Sequence, residues 1–155
     1  GEVVLILGSN HLRATTPTFT FTSKLVDGKF PDYERVLPRA ADKILQASRL
    51  DLRQAFTRTA ILSNEKYRGV RLKLSNDTLE IEANNPEQEQ AEESLPVQYT
   101  GDSLEIGFNV GYLLDVLGVL SGEEVRFSLG DPNSSALLEE VDGGDSLYVV
   151  MPMRL

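Results

Sequence analysis

Few side chains in this 155-residue chain are suited to covalent chemistry. There is no cysteine, which excludes thiolate nucleophiles, disulfide scaffolds and thiolate zinc sites and suits a reducing compartment. The single histidine, His11, has no nearby catalytic partner in sequence. No Walker-type glycine loop, zinc motif or Gly-x-Ser-x-Gly occurs. Glu87, Glu89, Glu92 and Glu93 offer carboxylate pairs of the glycosidase kind. Such a run is expected on an exposed edge, however, without the burial that drives two carboxyl pKa values apart. Two non-covalent features remain. Arg49, Arg53 and Arg58 are followed closely by Lys66, Arg68, Arg71 and Lys73, a basic pole able to hold phosphates. The chain closes on Tyr148-Val149-Val150-Met151-Pro152-Met153-Arg154, apolar and methionine-rich, a composition that adapts to several partner shapes. Plainer readings stand beside both: arginines as solvated flanks of an amphipathic helix, and a last strand with a frayed tail.

The charge is two-sided. Residues 1–74 carry thirteen Lys and Arg against seven Asp and Glu, a net +6, and residues 75–155 carry two against seventeen, a net −15. An overall charge of −9 argues against a protein that grips nucleic acid by bulk charge alone, while a local basic face could still do so. Length and a 41% hydrophobic content fit one ordinary domain, or one plus a part of another. No stretch approaches the roughly 20 apolar residues of a membrane span, and the first residues form neither a signal nor a transit peptide. The expectation is a soluble, cytoplasmic protein.

The elements that must position these groups are mostly strands. Val3–Leu7 is an apolar run, and Thr18–Thr22 alternates Thr with Phe. Two strands bury too little alone, so residues 1–26 are expected to belong to a larger sheet. A Gly- and Pro-containing connector follows at 27–33. A repeat then begins. Lys43–Ala47 reads as a strand, and Ser48 with Asp51 caps a helix whose Leu52, Ala55, Phe56 and Thr59 share a face; strands follow at 69–75, 78–84 and 90–100. The second copy has a strand at 103–108 and a helix capped by Asn109 with Leu113, Val116, Leu117 and Leu120 on one face, then strands near 124–129, 135–140 and 146–151. The order βαβββ occurs twice, predicting an α+β domain with two helices packed on antiparallel sheets.

Three long segments then point to a family: Phe21–Tyr33, Ala60–Leu72 and Ala83–Glu89, joined by Glu105–Val110 and the terminal Tyr148–Leu155. In these the chain resembles the bacterial sliding clamp, the β subunit of DNA polymerase III. The resemblance implies the DNA clamp (processivity) fold: three similar domains per subunit, each a doubled βαβββ unit, and two subunits closed head to tail into a ring around duplex DNA. Residues 1–32 then correspond to the last strands of the second domain and 33–155 to the whole third, C-terminal domain. The implied function is non-catalytic. The ring tethers the replicative polymerase by topology, with no cofactor and no metal, in the cytoplasm at the nucleoid. The alternative is a non-enzymatic β-rich interaction module with no DNA role.

By the same resemblance, the DNA polymerase III α subunit, clamp-loader subunits, other DNA polymerases and repair proteins insert short extended peptides, typically a Gln followed by Leu and Phe positions, into an apolar groove between the second and third domains. Its matching positions here are Pro31, Arg35, Val36, Tyr67, Asn109, Tyr112, Ser135, Val149, Val150, Met151, Pro152, Met153 and Arg154. The turn Pro132-Asn133 before Ser135 departs from the family pattern. Ile61 and Leu62 match apolar ring-interface contacts, and Glu87, Glu89, Glu92 and Glu93 match an acidic strip facing basic residues of the other subunit; without the family, the first pair reads as core and the second as a charged, protected edge. Arg49, Arg53 and Arg58 are expected toward duplex DNA without sequence readout, although helix rotation spreads them beyond a single stripe. The acceptor domain of the ring interface lies outside this sequence, so the chain is expected to be a monomer although its parent is a homodimeric ring.

Overall fold

Two compact units, Gly1–Asp32 and Tyr33–Leu155, emerge in the computed structural model, which describes residues 1–30, 32–38 and 41–154. In the first unit, β1 (Val4–Leu7), β2 (His11–Thr15) and β3 (Thr20–Lys24) form an antiparallel meander. The strand at His11–Thr15 is a structural addition. Its residues do not alternate cleanly, and pairing with strands on both sides makes it extended. Thr16 Oγ1 accepts from the amides of Thr18 and Phe19 and closes the second turn. Leu5, Ile6, Leu7, Phe19 and Phe21 are exposed, and among the described residues the three strands pair with each other alone.

The second unit is built by exchange between its repeats. The first repeat comprises β4 (Lys43–Ser48), α1 (Arg49–Ala60), β5 (Gly69–Ser75), β6 (Thr78–Asn84) and β7 (Gln90–Pro96) with a short β8 (Gln98–Thr100). The second comprises β9 (Leu104–Asn109), α2 (Val110–Val119), β10 (Glu124–Leu129), β11 (Ala136–Glu140) and β12 (Tyr148–Val150). The sheets run β12-β11-β10-β4-β8 and β7-β6-β5-β9, so each takes its first strand from one repeat and its hairpins from the other. Neither repeat can complete a sheet alone, which couples the two into one folding unit.

Each helix starts directly from a strand. Ser48 Oγ accepts from the Asp51 amide, and Asn109 Oδ1 accepts from the Gly111 amide, so both predicted caps are present. At matching offsets behind these caps, Leu52, Ala55, Phe56 and Thr59 on α1 and Leu113, Val116, Leu117 and Leu120 on or just after α2 are buried. With the inward rows of both sheets they form one cluster. Each fully buried Leu or Phe contributes on the order of 1.5–3 kcal/mol of apolar transfer free energy.

The strand expected at 90–100 is two strands. Asn76 and Asp77, both at positive φ, form the tip of the β5–β6 hairpin. Asp77 accepts at its backbone oxygen from the Val97 amide and at its carboxylate from the Tyr99 amide. Val97 is thereby fixed where the chain leaves one sheet for the other. Among the described residues, no helix is long and apolar enough to cross a membrane.

Candidate functional site

The terminal segment is held between the two sheets. β12 pairs with β11, placing Val150 opposite Ala136 and Val149 opposite Leu137. Pro152 has no amide to continue that ladder. The chain then crosses to the other sheet, where the Met153 amide donates to the Gly107 carbonyl on the outer edge of β9 at 2.9 Å. Residues 151–154 thus form a fixed ridge. Met151 is 66% exposed, and the Ser135 hydroxyl donates to its Sδ, a weak acceptor, at 3.1 Å. Val150, expected in the groove, is packed in the core and presents no surface; Val149 is half-buried on the opposite face of the strand.

A second wall comes from the loop between α1 and β5. Asn64 Oδ1 accepts from the amides of Lys66 and Tyr67, and the Asn64 carbonyl accepts from the Arg68 amide. Arg68 sits at φ 50, a conformation that costs a non-glycine residue free energy and that these bonds must hold. Asn109 Nδ2 donates to the Tyr67 carbonyl at 3.2 Å, and the Val110 amide to the Arg68 carbonyl at 2.8 Å. The result is an exposed Tyr67 ring on a rigid backbone, with Lys66 Nζ 5.1 Å from its centroid.

Tyr67 and the terminal ridge meet in a depression of about 420 Å³ shared with Asn64, Asn84, Asn85 and Pro86. On the other side of Met153 and Arg154, a second depression of about 360 Å³ is lined by Arg71, Glu105, Gly107, Pro132 and Asn133. Its rim is the turn at Pro132-Asn133. There Asp131 accepts from the Asn133 amide and the Ser134 hydroxyl, and the latter bond leads in holding its carboxyl below the usual range. Tyr112 is exposed on the first turn of α2. Arg35 and the half-exposed Val36 lie at a single 3-10 turn, Tyr33–Arg35, and line neither depression. Pro31 lies outside the described residues.

The three expected DNA-facing arginines have different fates. Arg49 is half-buried and donates to the carbonyls of Gly122 at 2.8 Å and Leu117 at 3.1 Å, joining the start of α1 to the end of α2. Arg58 forks onto Glu93 of β7 at 2.5 and 3.1 Å. That pair lowers the Glu93 carboxyl pKa and engages both residues within the chain. Arg53 is exposed and makes no side-chain hydrogen bond or ion pair among the described residues. Arg49 and Arg58 sit roughly on opposite sides of the helix at 100° per residue.

β7 is an edge strand, paired only with β6. Glu92 is exposed on it, Glu87 is exposed in the preceding turn, and Glu89 is bound by the Asn85 amide group in that turn. Ile61, read without the family as core, is 75% exposed beyond the end of α1, and Leu62 is half-buried.

Residues 34–154 match the family described as DNA polymerase III beta subunit, C-terminal domain. The chain belongs to this β-subunit family. It is 70% identical over all 155 residues to the beta sliding clamp of Pseudomonas aeruginosa and 58% identical over 153 residues to that of Vibrio cholerae, spanning 42% of each relative's length. A crystal structure of the P. aeruginosa β subunit shares 69% identity and a TM-score of 0.92 over 99% of this chain, which covers 42% of it. The Bartonella birtlesii clamp bound to griselimycin shares 41% identity and a TM-score of 0.93 over the whole chain, again 42% of that protein.

For this β-subunit relative, Asn64, Gly69, Asn84–Pro86, Glu105, Ile106 and Gly107 are site neighbours not foreseen from sequence. An Asn three residues before Tyr67, and another capping a helix, are local signals for Asn64 and Asn109. Nothing local marks Gly107, whose contact with Met153 joins distant segments.

Proposed function

We propose that this chain supplies the third domain, residues 33–155, and the closing strands of the second, residues 1–32, of a ring that encircles duplex DNA and tethers the replicative polymerase without covalent chemistry. It acts in the cytoplasm at the nucleoid. Its partners are the polymerase α subunit, clamp-loader subunits, other polymerases and repair proteins, through short extended peptides.

The observation that supports this reading is the depression that Met153 and Arg154 of the fixed ridge share with the exposed Tyr67. A ridge clipped to both sheets is preformed, so a peptide that buries its apolar side chains there is spared the cost of ordering the site. Ser135, Val149, Asn109 and Tyr112 belong to the same groove by family position, as do Pro31, Arg35 and Val36. Val150 supports it from the core.

Arg53 is the helix cation left to meet phosphate, and such contacts hold a backbone without reading its sequence. Ile61, Leu62 and the edge of β7, with Glu87, Glu89 and Glu92, form the surface that closes the ring. An unpaired strand edge can accept another strand, and its carboxylates limit which one.

The test is a fluorescence-anisotropy titration of a labelled Gln-Leu-Ser-Leu-Phe peptide against the chain and against a Pro152→Ala, Met153→Ala variant. Saturable binding that the variant loses is expected. Equal binding by both would remove the ridge from the site.

A further inference from the structure

The groove reading above treats Asn109 as one lining residue among several. The hydrogen bonds around it describe a different task. Its side-chain oxygen is engaged by the Gly111 amide at 2.8 Å, and one amide hydrogen goes to the Tyr67 carbonyl at 3.2 Å. These two partners also set the orientation of the amide, since a donor faces the oxygen and an acceptor faces the nitrogen. One residue further on, the Val110 amide donates to the Arg68 carbonyl, and two residues earlier Gly107 receives the Met153 amide. Three residues within one short stretch, Gly107, Asn109 and Val110, therefore hold both walls of the groove: the Tyr67 loop on one side and the terminal ridge on the other.

Resting on the groove reading, we propose that Asn109 is a positioning residue that acts on partner peptides through Tyr67. It welds the strained 64–68 loop to the start of α2, so the Tyr67 ring is presented before any peptide arrives. The loop needs this support. Arg68 is held at positive φ, and the other restraint on the Tyr67 backbone is the Asn64 side chain, which belongs to the same loop. Asn109 supplies the side-chain tether from outside it, next to the main-chain bond from the Val110 amide to the Arg68 carbonyl. Losing the side-chain tether would leave the Tyr67 peptide held from within the loop alone and charge the ordering of Tyr67 to the binding step.

Asn109→Asp separates this role from capping. Aspartate is an equally good N-cap and its charge suits a helix N-terminus, yet its second oxygen would face the Tyr67 carbonyl with no hydrogen to donate. Asn109→Ser, which retains a cap acceptor without a charge, serves as the second variant. Both are made in the 155-residue chain, alone and with Tyr67→Ala. The expected result is a melting temperature within a few degrees of the parent for Asn109→Asp, amide exchange at Tyr67 and Arg68 at least tenfold faster, and binding of the labelled Gln-Leu-Ser-Leu-Phe peptide about tenfold weaker. In the double variant the Asn109 change should add nothing to the loss from Tyr67→Ala, because the two act as one. Unchanged exchange at Tyr67 and Arg68 in both Asn109 variants would overturn the proposal. So would losses that multiply in the double variant, the mark of independent contacts. If the parent chain fails to bind the peptide, the groove reading falls, and the exchange rates alone still decide whether Asn109 positions the loop.

Discussion

The starts of α1 and α2 are the same structure put to two uses. In each, a strand runs straight into a capped helix whose first amide donates to the residue preceding a strand of the other repeat: Arg49 to Glu123, Val110 to Arg68. Around α1 the neighbouring segment, residues 120–123, is short and gripped. Glu140 accepts from the amides of Ser121 and Gly122, and Arg49 reaches the carbonyls of Gly122 and Leu117. Around α2 the corresponding segment, residues 61–68, is longer, strained at Arg68, and carries the exposed Tyr67 and Ile61. One joint is closed by its own hydrogen bonds, while the other carries a longer loop with exposed side chains, the loop that the proposed function gives to partner peptides.

Core substitutions give the largest expected effects on this pairing. Phe56 on α1 and Leu117 on α2 occupy equivalent offsets from their caps, and both are fully buried. Phe56→Ala should cost about 3–5 kcal/mol and Leu117→Ala about 2–5 kcal/mol in urea unfolding. Because the repeats exchange strands, either change should shift one common transition of residues 33–155; two separated transitions would break the picture of coupled halves.

Next come the arginines. Arg49→Ala strands two carbonyls at the end of α2 and should cost about 1–3 kcal/mol. Arg53→Ala, which removes an exposed side chain with no partner among the described residues, should stay within about 0.5 kcal/mol of the parent. Equal costs would mean that Arg49 is no more structural than its neighbour.

That distinction was out of reach of the sequence. Periodicity identified both buried helix faces, because apolar spacing near 3.6 residues is a local property, and it located both caps. It did not show which arginine on α1 was committed, since Gly122 and Glu93 approach from other elements. Nor did it separate Val149 from Val150: strand parity says they face opposite ways, and only pairing with β11 shows which one is inside. His11–Thr15 and the break at Val97 were hidden for the same reason, being set by neighbouring strands and by Asp77. Tyr67, Met153 and Arg154 were legible through family resemblance, whereas their placement depends on Asn64, for which the spacing to Tyr67 is a local signal, and on Gly107, for which nothing local is.

The closed joint should also respond to acid. Hydrogen bonds from the Gly122 and Ser121 amides hold the Glu140 carboxyl below its ordinary value. A lowered folded pKa contributes stability above the unfolded value of about 4.3, lost as pH falls through the folded value. Glu140→Gln should therefore be less stable than the parent at neutral pH, with a gap that narrows as the pH is lowered below about 4. A constant gap across that range, followed by denaturant titration, would mean that the charge itself does not hold the 120–123 turn.

Glycines provide the smallest contrast. A Cβ at Gly118, near the end of α2, would meet nothing within 4 Å, and Gly118→Ala should raise stability by about 0.5–1 kcal/mol. At Gly111, a Cβ would come within 3.0 Å of Asn109 Oδ1. Gly111→Ala should give no such gain and should weaken peptide binding by crowding the cap. A gain of the same size at both positions would show that the start of α2 is less tightly set than these distances indicate.

The most direct measurement is an amide-resolved NMR titration of this chain with the Gln-Leu-Ser-Leu-Phe peptide. Shifts should concentrate at residues 64–68, at 109–112 and at 151–154, while residues 120–123 at the start of α1 stay silent. Equal shifts at both helix starts, or shifts confined to 120–123, would contradict the division of labour between the repeats.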